Sequence, residues 1–204
     1  MAFLSSFIDS SSIPVLKGQR IFLRLPQMTD YPAWSALRAA SRKFLTPWEP
    51  LWPPDDLSRS AYRARMKRYG RDVQDDAAYP FFLFLAESGA LCGGLTLSNL
   101  RRGVSQTATL GYWIGEPYAR RGLMKEAVLS LLPFAFDHLA LHRVEAACLP
   151  HNSASIRLLK ACGFTEEGYA RQYLRINGDW HDHLLFAILA EDREGHNRRN
   201  FSQR

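Results

Sequence analysis

The sequence has little of what a stapled, membrane-bound or mononucleotide-binding protein needs. Its three cysteines, Cys92, Cys148 and Cys162, are an odd count in mostly apolar surroundings with no Cys-x-x-Cys spacing. No disulfide framework is implied, and they read as reduced core thiols of a cytosolic protein. No segment has the roughly 18 consecutive apolar residues that a membrane span requires. The first residues, MAFLSSFIDSSSIP, lack the positive n-region of a signal peptide. A cytoplasmic protein is therefore expected, with neither DNA nor membrane as partner. Two phosphate-binding signatures are also missing: no Gly-x-Gly-x-x-Gly follows a strand, and no Gly-x-x-x-x-Gly-Lys-[Ser/Thr] occurs. That excludes the Rossmann and Walker readings. No internal repeat or low-complexity block stands out.

What is present suits one globular domain. Of 204 residues, 47% are hydrophobic and 12% aromatic, enough for one sizeable core. Lys and Arg number 26 against 20 Asp and Glu, a formal net charge of +6. This balance favours an acidic partner such as a phosphorylated cofactor, RNA or a ribosomal surface.

Periodicity sets the element order. IFLRL (21–25) reads as a first strand and YPAWSALRAASRKFL (31–45) as a helix. TPWEPLWPPDD is a proline-rich loop whose Trp48, Leu51 and Trp52 call for burial. A second helix follows over 57–73, with Leu57, Ala61, Tyr62, Met66, Tyr69 and Val73 on one face. On its other face Arg59, Arg63, Lys67 and Arg71 recur every four residues. Like charges at that spacing destabilise a helix by about 0.2–0.5 kcal/mol per pair, which counterions or an acidic partner would relieve. YPFFLFLAE, LCGGLTLSNL and SQTATLGYWIG then form an antiparallel meander, followed by a helix over 122–139 in which Pro133 removes one backbone bond. HRVEAACL is a strand and SASIRLLKAC a helix stopped by Gly163. YARQYLRI and HLLFAIL are final strands about an Asn177–Gly178 hairpin turn. Residues 1–14 are an extension, partly disordered, and 191–204 a polar tail. The expected fold is a mixed α/β (α+β) sheet, mostly antiparallel and twisted, flanked by helices. A central strand-helix-strand unit brings two strands into a parallel pair.

The chemistry concentrates at GYWIGEPYARRGLMKEAVLSLL (111–132). A helix beginning near Gly122 exposes unpaired N–H groups and a partial positive charge, a ready site for phosphate. Arg120, Arg121 and Lys125 add full charges, and glycine removes a Cβ from the path of a ligand. An ordinary strand-to-helix turn with exposed arginines is the alternative on this stretch alone.

Here the chain resembles the GNAT superfamily of N-acetyltransferases, whose pyrophosphate loop reads [Gln/Arg]-x-x-Gly-x-[Gly/Ala] at such a junction. The six positions are Ala119, Arg120, Arg121, Gly122, Leu123 and Met124, so the central glycine is kept and both flanks depart. HNSASIRLLKACGF is similar to the family's Asn-x-x-Ser-x-x-Leu-Leu-x-x-x-Gly-Phe segment. GYWIGEPYARRGLM, SNLRRG and EGYARQYLRINGDWHDHLL resemble the RimJ/RimL-like branch, the ribosomal-protein-alanine N-acetyltransferases. The resemblance covers roughly residues 15–190. It implies acetyl-CoA as cosubstrate and no metal. The implied acceptor is the N-terminal α-amine, of alanine or serine, of a ribosomal protein, attacking directly in a ternary complex.

The resemblance also assigns roles. Amides of Arg120, Arg121, Gly122, Leu123 and Met124 hold the pyrophosphate. Tyr112, Trp113 and Ile114 form a splayed, bulged strand supplying an oxyanion N–H. Asn152 and Ser155 contact the pantetheine and thiol, Ser155 bonding the leaving thiolate. Asn152 equally suits a helix cap. The position at which some relatives carry a catalytic glutamate is Ala147, and Glu145 on the same strand face is the candidate base. Glu116 would neutralise the nearby arginines. A tyrosine used as general acid in some relatives is replaced by Leu159. His181 and His183 suggest structural use because no third ligand matches their spacing; His151 would touch substrate. Rival readings are an acetyltransferase of a small-molecule amine (aminoglycoside, polyamine or amino acid) and a non-catalytic ribosome-binding factor. The oligomeric expectation is monomer or homodimer.

Overall fold

The computed structural model describes residues 13–192. The expectations for residues 1–12 and 193–204 lie outside the described residues. Strands β1 (Leu16–Lys17), β2 (Ile21–Arg24), β3 (Tyr79–Leu85), β4 (Leu91–Arg101), β5 (Thr107–Ile114), β6 (Arg143–Cys148), β7 (Thr165–Ile176) and β8 (Asp179–Leu189) form one eight-stranded sheet. Its order is β1-β2-β3-β4-β5-β6-β8-β7. Helices α1 (Tyr31–Ala40), α2 (Arg42–Leu45) and α3 (Arg59–Gln74) lie between β2 and β3. α4 (Leu123–Pro133) joins β5 to β6, and α5 (Ser153–Ala161) joins β6 to β7. Every strand pair is antiparallel except β5 with β6, which the α4 crossover makes parallel.

Helices cover both faces, and β3 shows why its sequence is an unbroken apolar run. Phe81 and Leu83 enter the larger core with the buried stripe of α4, which includes Leu123, Ala127, Val128 and Leu131. Phe82 and Phe84 point the other way, into a second core with Trp34, Leu37 and Tyr62 of α1 and α3. A strand buried on both faces has no alternation to display. Tyr62 and Val73 are the buried anchors of α3, while Arg59, Arg63, Lys67 and Arg71 are all exposed.

Several sequence expectations need correction. The helix expected over 31–45 breaks at Ser41, whose buried hydroxyl accepts the Glu116 N–H at 2.9 Å. This bond fixes α1 and α2 to the turn after β5. Gly115 lets α1 come that close, since a Cβ there would lie 2.4 Å from Leu37 Cδ1. In the proline-rich loop only Trp52 is buried; Trp48 and Leu51 are exposed. The short β1 carries no sequence signal. β7 starts at Thr165 and β8 at Asp179, earlier than their apolar patterns suggest, because β7 is an edge strand with few buried residues. The helical path does pass Pro133, as the expected span 122–139 has it, but not as a regular α-helix. A π-helical turn, Phe134–His138, follows it, closed by Leu139 N–H on the Phe134 carbonyl at 2.9 Å.

The feature that positions the site is a parting of the sheet. β5 and β6 pair only at Thr107/Arg143, Ala108/Val144 and Thr109/Glu145. Beyond these three pairs no ladder joins them. The bulge expected near Tyr112–Ile114 is not there: β5 stays in register with β4 from Thr109 to Ile114, and the irregularity falls in β4 between Ser98 and Arg101.

Candidate active site

Gly115 N–H bonds the Cys92 carbonyl of β4 at 2.8 Å. Because N–H groups alternate sides along a strand, those of Tyr112 and Ile114 point away from β4, into the gap. The two strands diverge there, so these donors face a cavity of about 840 Å³ instead of a neighbouring strand. That volume is within the range of a cofactor-sized site. Tyr112, Trp113, Ile114, Arg120, Arg121, Gly122, Leu123, Met124, Asn152 and Ser155 all line it, so residues far apart in sequence meet in one place.

One wall is the start of α4. Gly122 is its N-cap at φ 75°, a left-handed conformation that favours glycine, and no side chain caps the helix. Within the protein an added Cβ would meet only Arg20 Nη2, at 3.5 Å, so packing against the chain itself is not what demands glycine here. The first helical bond is Glu126 N–H to the Gly122 carbonyl, which leaves the N–H groups of Leu123, Met124 and Lys125 ahead of it. Arg20 fastens the turn. Its backbone N–H and Nε bond the two Glu126 carboxylate oxygens at 2.6 and 2.9 Å, and its Nη1 bonds the Arg121 carbonyl at 3.1 Å. Burial pushes the Glu126 carboxyl up, but the Arg20 bonds outweigh it and hold it below the usual carboxylate range. Arg120 at φ 60°, Arg121, Lys125 and Arg157 place four cations around this end.

The opposite wall is the start of α5. Asn152 Oδ1 accepts the Ser155 N–H at 3.1 Å, so Asn152 caps the helix and lines the cavity at once. Ser155 Oγ lies 2.5 Å from the Tyr112 hydroxyl. Burial drives the Tyr112 phenol far above its usual range, against the Ser155 hydrogen bond, which works to lower it. The phenol thus keeps its proton through neutral pH. Cys148 is buried beside the same serine, and burial raises its thiol as well.

Glu145 is placed elsewhere. It sits at the closed end of the parting, opposite Thr109, and its carboxylate is 2.8 Å from Arg143 Nε, whose guanidinium also holds Glu167. It does not line the cavity, so the role of base foreseen for it has no geometric support. Glu116 lies on a 3-10 turn outside the lining. His183 is buried with Nδ1 2.9 Å from the His181 carbonyl, while Asp182 accepts from the Gln172 N–H and the Tyr169 hydroxyl. The Asp182 bonds tie β8 to β7, while the His183 contact stays within β8. His151 does reach the cavity, with its ring 5.5 Å from that of Trp48.

Phe44, Trp48 and Glu49 also line the cavity; Phe44 and Glu49 were not singled out from the sequence, and Trp48 was expected only as a buried residue. The available signal was an aromatic-acid pair held between two prolines in TPWEP, on a loop that has no other reason to be rigid.

Comparison with known proteins bears on this arrangement. Residues 20–165 match the family model described as the acetyltransferase (GNAT) domain. The chain is 36% identical over 180 residues to the probable N-acetyltransferase YjcK of Bacillus subtilis, covering 88% of this chain and 99% of that one. It is 34% identical over 186 residues to the [ribosomal protein uS5]-alanine N-acetyltransferase of Escherichia coli, covering 89% and 95%. Among solved structures, Mycobacterium smegmatis RimJ in complex with CoA-disulfide superposes with a TM-score of 0.81 at 33% identity, covering 87% of this chain and 85% of that chain.

Proposed function

This chain belongs to the GNAT acetyltransferase family, and from that premise we propose that it moves the acetyl group of acetyl-CoA to the N-terminal α-amine, alanine or serine, of a ribosomal protein. The observation that carries the reading is the convergence, in one cavity, of the uncapped α4 N-terminus, the strand donors of Tyr112 and Ile114, and the Tyr112–Ser155 pair.

The residues fit such a cosubstrate by charge and by donor placement. N–H groups of Leu123, Met124 and Lys125 bind the diphosphate, supported by Arg120, Arg121 and Arg157. Asn152 orients the pantetheine arm. The Ile114 or Tyr112 N–H stabilises negative charge growing on the acetyl oxygen, a contribution made in the transition state. Acetyl-CoA supplies an activated acyl group with a good leaving sulfur. Ser155 donates a hydrogen bond to that sulfur as the C–S bond breaks and the N–C bond forms, while the protonated Tyr112 supports the serine. The amine gives up one proton and the thiol gains one, through solvent. An α-amine, with an unperturbed pKa of about 7.7–8.0, is substantially neutral at physiological pH and asks for little help from a base. Juxtaposing amine and thioester then supplies much of the rate.

A peptide acceptor is favoured over a small enclosed one by the open sheet face beside the cavity. Gly111 is exposed on β5, and a side chain there would meet nothing within 4 Å. The relative active on uS5 supports the choice of a ribosomal protein. The test is intact-mass analysis of ribosomal proteins incubated with the chain and acetyl-CoA. One acetyl group at one N-terminus is the expected result; acetylation confined to free small amines would replace this acceptor with the small-molecule class.

A further inference from the structure

The lining of the cavity carries charge of both signs. Arg120, Arg121, Lys125 and Arg157 come from the turn into α4, from α4 and from α5, and Glu49 is the only carboxylate among the described lining residues. Trp48, the residue before it, holds its ring 5.5 Å from that of His151. A protonated amine is repelled by the four cations, and Glu49, its charge balanced by Arg38, is the one carboxylate acceptor the lining offers it.

Glu49 is held more firmly than loop integrity requires. Arg38 Nη1 donates to Oε1 at 2.7 Å, Arg38 Nη2 to Oε2 at 2.7 Å, and Trp52 Nε1 to Oε2 at 2.8 Å. The guanidinium is itself buried, 4.1 Å from the centre of the Trp52 ring and 5.0 Å from that of Trp113. Its Nε has no hydrogen-bond partner among the described residues. A buried ion pair is a poor source of stability, since apolar replacements of the same shape do as well or better. An orphaned Nε makes the pair worse in that respect. What the pair does achieve is orientation: it fixes one carboxylate at the cavity wall, and the Asn177 N–H of the β7–β8 turn pins the Glu49 carbonyl at 2.9 Å. A carboxylate offers about four acceptor sites. Three are occupied, and the remaining one, on Oε1, belongs to a side chain still 18% exposed.

We infer that Glu49 is the receptor for the acceptor's ammonium group, and that it restricts the acceptor to amines with no carboxylate next to them. The ammonium donates to Oε1 against the exposed face of Trp48, a cation-π contact, before it loses a proton and attacks. A free amino acid would bring its own α-carboxylate to within a few ångströms of Glu49, whereas a peptide N-terminus presents a neutral amide there. The site therefore reads "amine followed by amide". This deepens the acceptor reading given above and rests on it.

The test compares alaninamide, a peptide with N-terminal alanine, and free alanine as acceptors, following thiol release from acetyl-CoA, with acetyl-CoA affinity from calorimetry as the control for folding. Wild type should prefer alaninamide and the peptide to free alanine by at least about tenfold in kcat/KM. Glu49→Gln should raise KM for the amides by about tenfold, bring the preference to within about threefold, and leave acetyl-CoA affinity unchanged. An unchanged preference in Glu49→Gln, or equal use of free alanine by wild type, overturns the inference. Should Glu49→Gln not fold, Glu49→Asp withdraws the charge by one methylene and has to raise the amide KM several-fold; an unaltered KM overturns it equally. If wild type turns over none of the three, the peptide-acceptor function has failed, and calorimetry of alaninamide on the CoA-loaded protein decides Glu49 separately. Binding that Glu49→Gln abolishes sustains the inference, and binding that it leaves intact, or no binding to wild type, overturns it.

Discussion

The Tyr112 hydroxyl and Ser155 Oγ lie 2.5 Å apart, joining β5 to α5 across the place where the sheet has opened. In the proposed mechanism Ser155→Ala removes the hydrogen bond to the leaving sulfur, and kcat should fall by about 10²-fold with acetyl-CoA affinity little changed, a size typical of lost proton assistance. Tyr112→Phe should lower kcat less, since the serine survives. Thiol-release kinetics and calorimetry check both.

The direction of the Tyr112 shift fixes a pH profile. A phenol raised above its ordinary value stays protonated as pH climbs through neutrality, so it adds no falling limb there. With a peptide acceptor, kcat/KM should rise with one titration near the α-amine pKa of about 7.7–8.0 and stay level to about pH 10. A decline between pH 8 and 9 would count against a protonated Tyr112 as the working form.

Gly122 separates conformational from electrostatic effects. Gly122→Ala meets no protein atom closer than Arg20 Nη2 at 3.5 Å but forces alanine to φ 75°, a loss of about 1–2 kcal/mol in stability. Acetyl-CoA affinity should be largely retained at temperatures where it is folded. Gly122→Glu adds a negative charge beside the exposed N–H groups and should abolish binding. Melting curves together with calorimetry distinguish the two, and undiminished affinity in Gly122→Glu would move the diphosphate off this turn.

Glu126 links the turn to acid stability. Its carboxyl is held below its ordinary value, so the Arg20–Glu126 contribution is complete above the unfolded pKa of about 4.3 and is lost as pH falls through the lower folded value. Wild type should therefore out-melt Glu126→Gln at pH 6, and the difference should shrink steadily below about pH 4. A gap that stays constant from pH 6 to pH 3 would contradict the ion pair.

On α3, Arg63 stands four residues from both Arg59 and Lys67, and none of the three makes an ion pair among the described residues. Arg63→Glu turns two repulsions into two attractions, a gain of about 1 kcal/mol at low salt that fades as salt rises. Melting temperatures at two ionic strengths check it.

The sequence made the central unit readable because local and global signals coincide there. The apolar period of α4, the glycine at its head and the Asn-x-x-Ser start of α5 are each set within a few residues. Glu145 misled because strand alternation tells which face a side chain takes, but not where two parallel strands cease to pair. That depends on the whole crossover. Glu49 stayed hidden because its meaning comes from Arg38, Trp52 and Trp113, a third of the chain apart at their extremes, and no periodic pattern connects a loop to its partners. β7 was cut short for a simpler reason, since an exposed edge strand has little apolar alternation to show.

Three residue pairs are all that stitch β5 to β6, so the molecule has a seam, with β1–β5 on one side and β6–β8 on the other. Amides bordering a seam open to solvent more readily than those inside a continuous ladder. A bound molecule that touches both banks acts as a rivet, and its arrival should slow deuterium uptake at Tyr112, Ile114 and the head of α5 together. Occupancy and mechanical continuity become one property of the sheet.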